Sequence, residues 1–186
     1  MDIAWGSEEA RKFVTNVGLV TSYGKYGSNI MAAEWTHHVS YKPGLIIVNI
    51  RAADATAENI KETKEFGVSI ASIEQNRLSS IAGGYSGKQV DKIGALNKLG
   101  FKFYKGKKIK ALMVEDAALN VECKLIKEIE LGDHTMFVGE AVDVKLNDKE
   151  PLAYNNGKYW KLTETLKKPS DAERENMKKT VEEFKK

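Results

Sequence analysis

The chain has 186 residues, 42% hydrophobic and 30% charged, and its 29 basic against 26 acidic side chains leave a net charge of +3 at pH 7. These figures describe a globular protein of one domain, or one domain with a tail, and a surplus so small and scattered is not the electrostatic footprint of a nucleic-acid binder. No apolar run approaches the ~20 residues of a membrane span, and Met1-Asp2-Ile3-Ala4-Trp5-Gly6-Ser7-Glu8 lacks the basic start and apolar centre of a secretion signal. A single cysteine, Cys123, excludes an internal disulfide and any Cys-only zinc cluster. The expectation is a cytoplasmic protein with no metal, no membrane contact and no nucleic-acid partner.

In chain order, residues 17–22 and 45–50 are apolar, β-branched runs of strand length, the second opened by the turn signal Lys42-Pro43-Gly44. Thr56 is placed to cap a helix over 57–65, with Glu58 in its first turn against the positive end of the dipole and Gly67 as its stop. A strand over 68–71 follows, then the small-residue segment Ile81-Ala82-Gly83-Gly84-Tyr85-Ser86-Gly87-Lys88, read as a loop. Residues 93–112, with Lys105-Gly106-Lys107-Lys108, read as a basic surface loop.

From Leu119 the pattern has period two: Leu119, Val121, Cys123 and Leu125 point one way, Asn120, Glu122 and Lys124 the other. The apolar phase then slips to Ile126, which predicts a bulge, and Leu131-Gly132-Asp133 turns the chain into a second long strand. That strand is expected to bury Met136, Val138, Val142, Val144 and Leu146, an apolar face broken only by Glu140. Strands outnumber helices, so the fold is expected to be mainly β, a small closed or partly closed antiparallel barrel with peripheral helices.

After Leu166-Lys167-Lys168-Pro169, Ser170-Asp171-Ala172-Glu173 is a capping-box pattern, and Met177, Val181 and Phe184 recur at helical spacing. Residues 1–165 are thus expected to form the domain and 166–186 an amphipathic arm. Its stripe is expected to pack on its own domain or on a sister subunit.

Three segments carry a more specific signal. They are Leu19-Val20-Thr21-Ser22-Tyr23-Gly24 with Ser28-Asn29-Ile30-Met31-Ala32-Ala33-Glu34-Trp35-Thr36; Val48-Asn49-Ile50-Arg51 with Thr56 and the run from Asn59 to Ile70; and Ser86-Gly87-Lys88-Gln89-Val90-Asp91-Lys92 with the later Gly132-Asp133-His134-Thr135-Met136-Phe137-Val138-Gly139-Glu140. In order and spacing, over residues 17–162, they resemble the flavin reductase-like family, the FMN-binding split barrels that include flavoredoxins. The resemblance implies an FMN-binding split β-barrel (a Greek-key antiparallel barrel with peripheral helices), bound FMN, and NADH or NADPH as a donor.

Binding FMN requires a dianionic phosphate to be neutralised, a flat ring to be clamped and donors to be aimed at its edge. By resemblance, Asn29, Ile30, Met31, Ala32, Ala33, Trp35 and Thr36 line the ring; the small Ala32 and Ala33 would let the backbone approach it, while for Trp35 read alone a core aromatic is the commoner fate. Asn49, Ile50, Arg51 and Thr56 resemble the phosphate pocket, where a helix N-terminus favours an anion. Read without the resemblance, Thr56 is only a cap and Arg51 a surface residue. Asp54 stands where the family often has a second basic residue, and its carboxylate would repel a phosphate unless it points away. Ala82, Gly83, Ser86, Gly87, Val90, Asp91 and Lys92 resemble a flavin-binding loop, with Lys92 either a cation for the cofactor or a solvated surface lysine. His134 lies in the context that related reductases place near the nicotinamide. His37 and His38 are neighbours that point to opposite faces of a strand and make no metal pair.

The function implied is an oxidoreductase of the flavin reductase or flavoredoxin type, passing electrons from NAD(P)H through FMN to free flavin, a ferric complex or a partner protein, and working as a homodimer. Two alternatives stand beside it: an FMN electron carrier without its own NAD(P)H site, and a non-catalytic ligand-binding module on the same barrel. No glycine-rich dinucleotide fingerprint is present.

Overall fold

The computed structural model describes residues 2–4 and 6–185. Met1 and Trp5 of the expected leaderless start, and Lys186 of the expected arm, lie outside them. The first half holds strands β1 (Thr15–Asn16), β2 (Gly18–Ser22), β3 (Asn29–Ala33), β4 (Thr36–Tyr41) and β5 (Gly44–Ile50), helix α1 (Ala55–Thr63) and strand β6 (Glu65–Ile70). Helices α2 (Asn76–Gly84) and α3 (Lys92–Lys98), short strands β7 (Phe103–Lys105) and β8 (Leu112–Val114), and long strands β9 (Leu119–Leu131) and β10 (His134–Leu146) come next. A small hairpin, β11 (Ala153–Asn155) and β12 (Lys158–Trp160), and helix α4 (Asp171–Glu183) end the chain.

Seven strands form one antiparallel sheet in the order β3-β2-β6-β9-β10-β5-β4. Its two edges, β3 and β4, are joined by only Glu34 and Trp35, so the end of β3 and the start of β4 lie at most ~11 Å apart. The sheet therefore has to curl until its edges nearly meet. A half-barrel with a seam is the outcome, and the seam ends at Glu34-Trp35. Around it, Asn49 N–H donates to the Trp35 carbonyl at 3.0 Å and Asn16 Nδ2 to the Thr36 carbonyl at 2.8 Å.

Hydrophobic residues close both faces. Phe66, Val68, Val121, Cys123, Phe137 and the α1 residues Ala57 and Ile60 form one core, while Leu19, Ile30, Leu78 and Leu96 join α2 and α3 in the other. Alternation along β9 is as expected for Val121 and Cys123, which are buried. Asn120 and Glu122 are buried as well, because both faces of β9 are covered: Ser69 Oγ donates to Asn120 Oδ1 at 2.6 Å, and the backbone N–H groups of Lys107, Lys108 and Ile109 donate to the Glu122 carboxylate at 2.8, 2.6 and 3.2 Å. Burial pushes the Cys123 thiol up to about 12.

The bulge falls where the apolar phase slips: Val138 pairs with Lys127 and Gly139 with Leu125, so Ile126 is the extra residue. For β10 the expected face is corrected. Thr135, Phe137 and Gly139 are buried, and Val144 and Leu146 are exposed. Phe137 fills the core, and a β-carbon on Gly139 would collide with Phe66 and Cys123. Register shifts at Val138/Gly139 and Ala141/Asp143 change which side faces in, and beyond them the core runs out.

Three other boundaries move. Helix α1 starts at Ala55 with Asp54 as its N-cap and ends at Lys64, which takes the left-handed turn (φ 58) expected of a glycine. Gly67 lies within β6, where a side chain would strike Thr21 Oγ1 and Met113 Sδ. The stretch over 93–112 is no basic surface loop: it holds most of α3, all of β7 and the first residue of β8, with Ile93, Leu96, Ile109 and Ala111 buried. At the far end the capping box forms, with Ser170 and Glu173 exchanging bonds, but α4 buries none of its residues, and Met177, Val181 and Phe184 of its stripe stay more than half exposed.

Candidate functional site

Asn29, buried at the first position of β3, donates Nδ2 to Thr56 Oγ1 at 2.8 Å. Thr56 therefore spends its hydroxyl on β3 and does not cap α1, and Asp54, in the N-cap position, makes no side-chain bond either. The first bond involving the cap residue runs from Glu58 N–H to the Asp54 carbonyl, so no side chain caps the first-turn N–H groups. An uncapped, buried helix start is a ready place for an anion.

Opposite that helix end, α2 closes at Gly84 and its C-terminal carbonyls receive a cation. Lys92 is only 3% exposed and donates Nζ to the Ala82 and Tyr85 carbonyls at 3.0 and 3.1 Å. Desolvation lowers its pKa to about 8, against the charge of Asp54, which raises it. The intervening loop is held at both ends. Asp91 caps α3 by accepting from Gly94 N–H at 2.9 Å, and Lys88 pairs with Glu58 of α1. Hydrogen bonds from Lys25 and then Lys88 hold the Glu58 carboxyl down at about 2. Gly87 leaves room for Asn29, whose amide a β-carbon there would strike.

A hollow of ≈ 100 Å³ results, and nine of the expected residues line it: Asn29, Met31 and Ala32 from β3, Thr56 from α1, and Ala82, Gly83, Ser86, Gly87 and Lys92 from the α2–α3 segment. Asp54 and Ala55 complete the lining. Asp54 therefore does not point away. It offsets part of the Lys92 charge within the same space.

The remaining expected residues lie elsewhere. Ile30 and Ile50 turn their side chains into the two cores, which leaves only their backbone to meet a ligand. Thr36 is buried and donates Oγ1 to the Ala33 carbonyl at 3.2 Å. Val90 and Asp91 sit on the loop without lining the hollow, and neither Asn49 nor Arg51 lines it. Arg51 instead lends its charge to Asp133, whose carboxyl is held low first by its hydrogen bond with His134. His134 Nδ1 lies 2.7 Å from Asp133 Oδ1, and its ring packs on Trp35 with centroids 4.8 Å apart. Trp35, 44% exposed, is thus no core residue. The pair stands at the end of the seam.

A second, larger hollow of ≈ 290 Å³ shares Ala32 and Gly83 with the first and takes Ala33 as well. Its other lining includes Asn16, Glu34, Ser79, Tyr154 and Tyr159. Sequence reasoning passed these over, since the β11–β12 hairpin meets α2 only in three dimensions, where Tyr159 Oη donates to Ser79 Oγ at 3.1 Å. The one local signal was Glu34, a lone carboxylate in an otherwise small and apolar run.

A curled antiparallel sheet with a seam, helices on both faces and hollows along one edge strand defines the split-barrel class. The chain belongs to the flavin reductase like domain family, whose model matches residues 10–163. It is 36% identical over 130 residues to an uncharacterised protein of Archaeoglobus fulgidus, covering 70% of each chain. A ferric-chelate reductase (NAD(P)H) from the same organism is 31% identical over 123 residues, 66% of this chain and 70% of that one. Flavoredoxin of Desulfovibrio vulgaris (Miyazaki F) superposes with a TM-score of 0.76 at 30% identity, over 92% of this chain and 99% of the other. Membership of this family implies flavin binding and oxidoreductase chemistry. Among the described residues no helix is long and apolar enough to cross a membrane.

Proposed function

We propose that the protein is an FMN-dependent oxidoreductase that takes electrons from NADH or NADPH and passes them to free flavin, a ferric complex or a partner protein. The observation that carries this reading is the convergence of a buried lysine and an uncapped helix start on one hollow beside β3. Lys92 Nζ and the first-turn N–H groups of α1 are donors suited to a phosphate monoester, and they act against the Asp54 carboxylate in the same hollow, which weakens the site. Bound FMN would supply the two-electron chemistry that none of the protein's own groups can. The chain's part is to hold the phosphate, to exclude water along β3, and to orient a nicotinamide by the His134 ring, which Asp133 and Trp35 keep in place. An anaerobic absorbance titration with each nucleotide tests the reading: the yellow protein is expected to bleach. Bleaching by dithionite alone would favour the electron-carrier reading, and absence of flavin absorbance after added FMN would refute both.

His134→Ala is expected to raise KM for the nicotinamide nucleotide about tenfold while leaving the FMN dissociation constant unchanged, since only contacts outside the phosphate hollow are lost. Unchanged reduction kinetics in that variant would remove the nicotinamide role.

The reading includes a homodimer. Val144 and Leu146, 56% and 79% exposed at the open end of β10, continue the apolar core face beyond its own cover, and an exposed apolar surface of this kind is a usual site of association. In light scattering, the wild-type chain is expected to run at twice its own mass and Val144→Glu at one. A monomeric wild type would overturn this part.

A further inference from the structure

Between Asp91 and Glu115 the sequence runs through seven lysines without one acidic residue, although 26 of the 186 side chains are acidic overall. Lys92 lines the smaller hollow; the other six are exposed. Three of them, Lys107, Lys108 and Lys110, stand on the turn between β7 and β8, where the apolar Ile109 and Ala111 are buried. Two buried carboxylates hold the backbone of that turn from beneath. Glu122 accepts from the N–H groups of Lys107, Lys108 and Ile109 at 2.8, 2.6 and 3.2 Å, and Glu65 from that of Lys110. Four successive N–H groups are thus tied inward while the lysine side chains stay in solvent. Lys107 pairs with Asp143 at 3.2 Å and Lys124 with Glu65 at 2.5 Å, but Lys105, Lys108 and Lys110 have no ion pair among the described residues. Burying two carboxylates is costly, and what they secure is one fixed shape for a turn of lysines. The residue types narrow the partner. Lysine is a strongly hydrated point charge suited to carboxylates met briefly, whereas a nucleic-acid strand favours arginine forks and stacked aromatics. The segment has no arginine, and the half-buried Tyr104 beside the turn already has Lys145 Nζ over its ring, 4.6 Å from the centroid. With its apolar residues buried, the turn offers nothing to insert into a membrane.

We propose that the β7–β8 turn is a docking surface for an acidic protein, seated by Lys105, Lys108 and Lys110. Charge-steered encounters of this kind are fast, small and salt-sensitive, which suits a partner that must leave after each exchange. Glu65 follows the end of α1, whose 9 residues rise ~14 Å from the hollow, so the docked protein sits about one helix length from it. The inference rests on the oxidoreductase reading in one respect: among the acceptors named above it selects the partner protein.

Fluorescence anisotropy of a labelled poly-L-glutamate peptide, titrated with the full chain at low and at physiological salt, tests the turn. Wild type is expected to bind the peptide and to weaken as salt rises. Replacing Lys105, Lys108 and Lys110 together by glutamine should weaken binding about tenfold at low salt. The same change at Lys167, Lys168 and Lys178, exposed lysines near the C-terminus, should leave it within about twofold. Equal losses in the two triple variants would mean that net charge alone is read, and the inference would fall. Glu122→Gln makes the chain more positive yet sets an amide N–H against the N–H groups of the turn, so binding should weaken about threefold where charge alone predicts a gain. If that variant does not fold, the lysine variants, all at exposed positions, decide alone. No binding by wild type at low salt, or tighter binding of a single-stranded RNA or of phosphatidylserine vesicles at the same turn, would overturn the assignment to an acidic protein. Added FMN and NADH, followed by absorbance in the same samples, test the oxidoreductase reading separately: a chain that holds the peptide at the turn but takes up no flavin keeps the docking surface and loses only the partner's role in electron exchange.

Discussion

Replacing Lys92 by methionine is expected to raise the FMN dissociation constant about thirtyfold and to leave riboflavin, which lacks the phosphate, within about twofold. A charge-assisted hydrogen bond to a buried ammonium is worth about 2 kcal/mol, and each 1.4 kcal/mol is a factor of ten. The ammonium has few alternatives to a ligand, since it is 3% exposed and bonded only to two carbonyls. Its lowered pKa of about 8 adds a pH signature. A bound dianion favours the charged form, so binding takes up a proton above pH 8, and FMN affinity should fall as pH rises through that range. In Lys92→Met the profile should be flat. The unliganded protein should show the opposite trend in stability. The unfolded chain holds this proton up to 10.5 and the folded chain only to about 8, so stability rises between those values. Isothermal titration and urea unfolding at pH 7 and 9.5 measure both. Equal losses of FMN and riboflavin would show that Lys92 acts on the fold and not on the phosphate.

The largest stability loss is expected from Phe137→Ala, about 4 kcal/mol in urea unfolding with the denaturant slope unchanged. Phe137 is fully buried on β10 in the core that joins Phe66, Cys123 and Ile60. Removing it leaves a cavity under the sheet that neighbours cannot fill, because Gly139, two residues along on the same strand, has no side chain to move in. Total stabilities of such domains are about 5–15 kcal/mol, so the variant should lose between about a quarter and most of it. A loss below about 1 kcal/mol would mean that the sheet does not close over this ring.

Much of the barrel is readable from residue order, because short β-branched runs and the long β9–β10 hairpin carry local signals. The bulge at Ile126 is a change of phase visible in the sequence itself. What escaped was decided by packing from a distance. The inward face of β10 depends on two register shifts set against β9, so Met136 and Val138 face away from the core, while Val144 and Leu146 return to its side only where its cover has ended. Thr56 resembles a cap until Asn29, 27 positions away, claims its hydroxyl. The segment with Ala82 and Gly83 reads as loop by composition, yet those residues end α2, where buried Leu78, Ser79 and Ala82 outweigh glycine's low helix propensity. Nine of the site residues converge on the smaller hollow because β3, α1 and the α2–α3 segment each supply a contiguous cluster. The larger hollow was invisible because its walls come from both ends of the chain.

Cys123 has a practical consequence. Its thiol, fully buried and pushed to about 12, is almost entirely protonated at neutral pH and shielded from reagents. Maleimide or iodoacetamide should therefore leave the folded protein unlabelled, and a cysteine introduced on the surface would be the sole point of attachment. A dye or spin label could thus be placed beside the seam, at Tyr41 or on α4, without first removing the native cysteine. Conversely, any labelling of the wild-type chain would count unfolded molecules.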